Sequence, residues 1–232
     1  HYDHMGALPY LRKAFPEIIV YGSAHCQAIL QRPNAKVLMK ELGTAARDLY
    51  RPESTEEIPV DDLAVDVALK DGDIVSLGNE TIQAIEAKGH TDCSMAYALE
   101  PDGILFTSES TGIVEAGLAI NTPILKSFAD AKASLDKCKA YGARYICLPH
   151  FGLIPQDFNE EYWDRFEQGC EDRIQMAREM KAEGLEADQM LERYRDRYWD
   201  PIMEQEQPIE AFLINAKNII KAALRALEME EK

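Results

Sequence analysis

His1-Tyr2-Asp3-His4-Met5-Gly6 places three metal-capable side chains within four consecutive positions. On an extended segment alternate residues share a face, so His1 and Asp3 point the same way and a turn brings His4 in beside them. Two imidazoles and a carboxylate suit zinc or iron better than calcium or magnesium, which prefer all-oxygen shells. A histidine-tag remnant has the same appearance, so the run gains meaning only from the other ligand-bearing positions of the chain.

Working outward, the apolar positions of Met5–Phe15 recur at helical spacing and close at Pro16, which predicts a short helix after the cluster. Ile18-Ile19-Val20-Tyr21 is a β-branched run of strand length, and Ser23 caps a helix to about Gln31. Residues 34–50 form an amphipathic helix and Arg51–Pro59 an acidic, proline-containing loop. From about Leu63 the period changes to two. Asp71-Gly72 is a turn, Ile82, Ala84, Ile85 and Ala87 lead toward Gly89-His90, and Pro101-Asp102-Gly103 is a hairpin signal, so these strands are expected to form a meander. Thr122-Pro123 opens a helix to about Tyr141 with Pro123 in its first turn, and Arg144–Leu148 is a buried strand ending at Pro149-His150. Beyond Pro155 three charged amphipathic helices are expected, over 158–182, 186–199 and 208–228, with aromatics that pack on the sheet, line an interface or wall a pocket.

With 41 acidic and 25 basic residues the formal net charge is −16, which repels phosphate backbones and argues against a nucleic-acid partner. No apolar run approaches the roughly 20 residues of a membrane span, and no signal peptide is visible. Five scattered cysteines, none in a C-x-x-C spacing, read as free thiols in a reducing, cytoplasmic setting. Cys93, close to His90, is read either as a small buried thiol or as a ligand or nucleophile. Four of the five histidines, His1, His4, His90 and His150, fall at expected strand or loop ends, where side chains can meet in a cleft at one sheet edge; His25 falls inside a helix.

The ordered runs resemble the metallo-β-lactamase superfamily, in its glyoxalase II or lactonase-like branch. His1-Tyr2-Asp3-His4-Met5-Gly6 looks like the latter part of H-x-H-x-D-H-x-G, Gly89-His90-Thr91 resembles G-H-T, Leu105-Phe106-Thr107-Ser108-Glu109 resembles L-F-x-G-D, and Leu148-Pro149-His150-Phe151-Gly152 resembles the final histidine loop. The resemblance implies an α/β four-layer αβ/βα sandwich, incomplete at its N-terminus, over residues 1–155, followed by a helical extension over 156–232. It further implies roughly 60–80 preceding residues that carry the remaining strands, with a histidine two residues before His1.

The same resemblance implies two divalent metal ions, zinc foremost with iron or manganese as alternatives. His1 and His90 with the preceding histidine would hold one; Asp3, His4 and His150 would hold the other. Glu109 stands where the family has a bridging aspartate, with Ser108 where glycine is usual, so Glu109 either bridges the metals or lies behind a single-metal site. Asp3 would orient a metal-activated water and move its proton. The expected activity is hydrolysis of an ester, thioester, lactone or phosphoester bond of a small molecule. The alternatives are a flavodiiron-like di-iron oxidoreductase, whose pattern has glutamate where this chain has His1, and a non-catalytic metal-binding protein. The loops at 50–60 and 110–125 and the helical tail would set specificity, and the tail is compatible with a homodimer.

Overall fold

The alternating segments between Asp71 and Leu153 have too few continuous apolar residues to be buried on both faces, and they assemble as the antiparallel pattern predicts. A computed structural model describes residues 2–115 and 118–230, and the chain divides into two compact units, His1–Lys70 and Asp71–Lys232.

In the second unit a six-stranded sheet is built from β3 (Ile74–Ser76), β4 (Thr81–Glu86), β5 (Met95–Glu100), β6 (Ile104–Phe106), β9 (Tyr145–Leu148) and β10 (Gly152–Leu153) in the order β10-β9-β6-β5-β4-β3. The meander β3–β6 is antiparallel throughout, and β9 joins β6 in parallel with Ile104 opposite Tyr145. Along β5 the buried residues Ala96 and Ala98 alternate with half-buried Met95, Tyr97 and Leu99, the period of a strand that packs one face. Between β6 and β9 lie a small hairpin of β7 (Ile113–Val114) and β8 (Ile120–Asn121) and the helix α5 (Phe128–Tyr141). That helix buries Phe128, Ala131, Leu135 and Cys138, one stripe at helical spacing, against the sheet. It begins five residues later than Thr122-Pro123 suggests. Ser127 is its cap, with Oγ accepting from Asp130 N at 3.1 Å, because the carbonyl of Pro123 is committed to a side chain described below.

The helices α6 (Asn159–Ala182), α7 (Ala187–Tyr198), α8 (Met203–Glu206) and α9 (Ile209–Glu230) follow. They share one core with the sheet: Tyr162, Trp163 and Phe166 from α6, Tyr194 from α7 and Phe212 from α9 are buried together with Leu105 and Ile146. At about 1.5–3 kcal/mol for each fully buried large apolar side chain, this helix–sheet contact is a principal stabilising element of the unit.

The first unit holds α1 (Tyr2–Met5), α2 (Leu8–Ala14), β1 (Tyr21–Ser23), α3 (Ala24–Leu30), α4 (Pro33–Tyr50) and β2 (Val67–Leu69). Its core is Leu8, Leu30, Leu63 and Val65. The strand expected over 18–21 begins at Tyr21 and pairs in parallel with β2. Ahead of it, Val20 is held by a side chain: its N–H donates to Asp66 Oδ2 at 2.8 Å, and the same carboxylate takes Arg12 Nη2 at 2.9 Å. Ser23 caps α3 as expected, accepting from Cys26 N. Among the described residues no helix is long and apolar enough to cross a membrane.

Candidate metal centre

Strand direction decides which chain segments can meet. Because β4 is antiparallel to β5, β5 to β6, and β6 parallel to β9, the strands β4, β6 and β9 all run the same way. The residues just past their C-terminal ends therefore emerge at one edge of the sheet. These are His90, Glu109 and His150, and their side chains converge. His90 Nε2 lies 2.5 Å from Glu109 Oε2, and His150 Nε2 lies 2.9 Å from Glu109 Oε1. One carboxylate thus spans two imidazoles. His90 and Glu109 are buried, whereas the His150 side chain is 41% exposed and faces solvent on one side.

The loop that carries His90 is fixed by close backbone approach. Gly89 has φ +137, and a β carbon there would lie 2.7 Å from Ala131 Cβ and 2.8 Å from its Cα. Without one, the Gly89 carbonyl accepts from Lys126 N and Ser127 N at the start of α5. The main-chain N–H of His90 donates to Ser110 Oγ at 3.0 Å. Glu109 itself begins a 3-10 turn, Glu109–Thr111, capped by Ser108 Oγ. Neither Ser110 nor the carbonyl of Pro123 carries a sequence signal that places it at the site; the one available hint is the serine cap at Ser127, which leaves Thr122–Lys126 outside the helix.

The protonation chemistry of His90 follows from its partners. His90 Nδ1 stands 2.5 Å from the carbonyl oxygen of Pro123. A carbonyl only accepts, so Nδ1 carries the hydrogen, and in a neutral ring Nε2 then presents a lone pair. That lone pair faces a carboxylate oxygen at 2.5 Å. Two acceptors at this separation are held together by a shared proton, and the same two atoms are of the kind that ligate a zinc-type cation. A backbone carbonyl on Nδ1 is also the usual arrangement behind a metal-bound Nε2. By donor chemistry, then, two imidazole nitrogens and a carboxylate on one sheet edge fit a zinc-type cation.

In the first unit, Asp3 and His4 lie in the helical turn α1 rather than on the extended loop that the motif suggests. Their side chains still approach, with His4 Nε2 at 3.6 Å from Asp3 Oδ2, both about a third exposed. His1 lies outside the described residues. His25 sits inside α3, as expected. Cys93 is half-buried with its Sγ 3.4 Å from Thr91 Oγ1, in the turn that follows His90. Cys138 sits in the core and the half-buried Cys170 packs against it, and burial pushes both thiols up to about 12, so neither is a nucleophile at neutral pH.

Known proteins share this fold and its sequence pattern. The pattern of the Metallo-beta-lactamase superfamily matches residues 1–150. The chain is 22% identical over 161 residues to an atrochrysone carboxyl ACP thioesterase of Aspergillus fumigatus, covering 69% of this chain and 38% of that protein. It is 27% identical over 180 residues to a hydroxyacylglutathione hydrolase of Thermosynechococcus vestitus, covering 75% of this chain and 59% of the relative. The chain therefore spans only part of the length of either relative. Among solved structures, a beta-lactamase domain protein from Burkholderia ambifaria aligns with a TM-score of 0.63 at 18% identity, over 100% of this chain and 66% of that one.

Proposed function

Because the chain belongs to the metallo-β-lactamase superfamily, we propose that it is a metal-dependent hydrolase of a small-molecule ester, thioester, lactone or phosphoester. The relative named as a thioesterase puts the thioester first among these. The observation that carries the reading is the Glu109 carboxylate held between the Nε2 atoms of His90 and His150.

In this reading His90, Glu109 and His150 are metal ligands, and His1, Asp3 and His4 are the remaining ones on the strength of their H-x-D-H motif. Two zinc ions are the preferred complement. Bound there, they would supply Lewis acidity toward water and the substrate oxygen. The chain's own residues do the rest. Pro123 O keeps the hydrogen on His90 Nδ1, so Nε2 stays a donor of its lone pair. The buried Glu109 carboxyl group would offset positive charge at the site. Asp3 would orient the attacking water and move its proton. A partly exposed His150 leaves one side open for substrate.

The test is hydrolysis of a panel of p-nitrophenyl esters, lactones, thioesters and phosphodiesters by zinc-loaded protein, wild type against His90→Ala. Metal-dependent turnover of at least one class, lost in the variant, is expected. Turnover that survives both chelation and His90→Ala would refute the reading.

A further inference from the structure

The turn that presents Glu109 is gripped from the far side by the helical tail. Tyr162, on α6, is fully buried, and its hydroxyl donates to Thr111 O at 2.5 Å and lies 3.2 Å from Gly112 O. One turn along the same helix, Phe166 packs onto Gly112 so closely that a β carbon at that residue, where φ is +95, would lie 2.6 Å from Phe166 Cδ2. The turn so held has two links to the metal centre. Glu109 opens it, and Ser110 Oγ accepts the main-chain N–H of His90. Thr111 adds a bond back to Ser108 O through Oγ1 at 3.1 Å. A shift of Thr111 and Gly112 would therefore displace the carboxylate and one imidazole together.

We propose that Tyr162 is a positioning residue of the centre, acting through the carbonyls of Thr111 and Gly112 to hold the Glu109 carboxylate against His90 and His150. The helical tail is then part of the site's support. Burial pushes the Tyr162 phenol well above its ordinary range, so the hydroxyl remains a donor throughout the working pH. The inference rests on the metal-site reading for its consequence in zinc binding, while the geometry it describes belongs to the protein alone.

Tyr162→Phe removes the donor and keeps the ring. Tyr194→Phe is the control: it too removes a buried hydroxyl from the same core, one that faces Arg173 instead of the turn. Two readouts are taken at one fixed pH: the imidazole nitrogen signals of His90 and His150 in metal-free protein, and zinc affinity by competition with a chromophoric chelator. Tyr162→Phe should move both imidazole signals and weaken zinc binding by about tenfold, as loss of a residue that orients a ligand does. Tyr194→Phe should lower the melting temperature comparably and leave both readouts at wild-type values. Wild-type imidazole signals and affinity in Tyr162→Phe, or the same changes in Tyr194→Phe, would overturn the proposal. If wild-type protein takes up no zinc, the functional reading fails, and the imidazole signals still decide the role of Tyr162.

Discussion

Among the described residues, two sets of metal-capable side chains are made in opposite ways. Asp3 and His4 are sequence neighbours in one exposed helical turn, 3.6 Å apart. His90, Glu109 and His150 come from three strand ends and meet within 2.5 and 2.9 Å, with His90 and Glu109 buried. Adjacency in sequence makes the first cluster easy to find, and its side chains sit at the surface. Sheet topology brings the second together, burying His90 and Glu109 and leaving His150 exposed on one side. Changes in the first should accordingly alter function with little effect on folding, whereas changes in the second should alter both.

The largest difference is expected between His90→Ala and Asp3→Ala. Removing His90 leaves a buried carboxylate without one of its partners, a loss of about 3–5 kcal/mol. Asp3→Ala, at an exposed site, should stay within about 0.5 kcal/mol of wild type while zinc-dependent hydrolysis falls by orders of magnitude. Urea denaturation of both metal-free variants measures this, and equal losses would erase the distinction.

A smaller effect separates two glycines of the second unit. Gly89→Ala combines a positive φ with collision against Ala131 and should cost about 3 kcal/mol. Gly142 ends α5 with φ +69, and a β carbon there would meet nothing within 4 Å, so Gly142→Ala should cost only about 1 kcal/mol. Thermal melts of the two variants rank them, and a Gly89→Ala as mild as Gly142→Ala would show that the His90 loop is not held by that approach.

The smallest effect concerns acid stability of the first unit. The Arg12 guanidinium, with the N–H of Val20, holds the Asp66 carboxyl below its ordinary value of 3.8. A depressed folded-state value means that the carboxylate stabilises the fold fully above the unfolded value, and that this contribution is lost as pH falls through the lowered one. Asp66→Asn should therefore be less stable than wild type at neutral pH, and the gap should close as pH drops below 3.8. Denaturant midpoints across that window read it directly; a gap that widens with acid would contradict the assignment.

Much of the second unit is legible in the sequence because its signals are local. Pro101-Asp102-Gly103 joins β5 to β6, Gly142 ends α5 in the left-handed conformation, and the three tail helices lie within a few residues of their expected bounds. The positions of His90, Glu109 and His150 are likewise legible, since each follows an apolar strand. What the sequence hides are choices made by distant partners. Pro123 reads as a helix opener, yet its carbonyl serves His90 and the helix waits for Ser127. Ile18-Ile19-Val20 reads as strand, yet Asp66 takes the Val20 N–H and the ladder starts at Tyr21. The H-x-D-H run reads as a loop, yet Asp3 and His4 lie in a helical turn. Ser110 and Tyr162 have no motif at all; their roles exist only once α6 is folded against the turn after β6.

The central claim is that the carboxylate between His90 and His150 belongs to a metal centre. Its most direct test is the zinc content and zinc-edge X-ray absorption of loaded protein, compared across wild type, His90→Ala, His150→Ala, Glu109→Gln, Glu109→Asp and His25→Ala. Bound zinc with imidazole nitrogen in its shell is predicted for wild type and His25→Ala. It should be lost or sharply reduced in His90→Ala and His150→Ala, weakened in Glu109→Gln and kept in Glu109→Asp. Zinc content unchanged by both histidine substitutions, or lost in His25→Ala, would contradict the account.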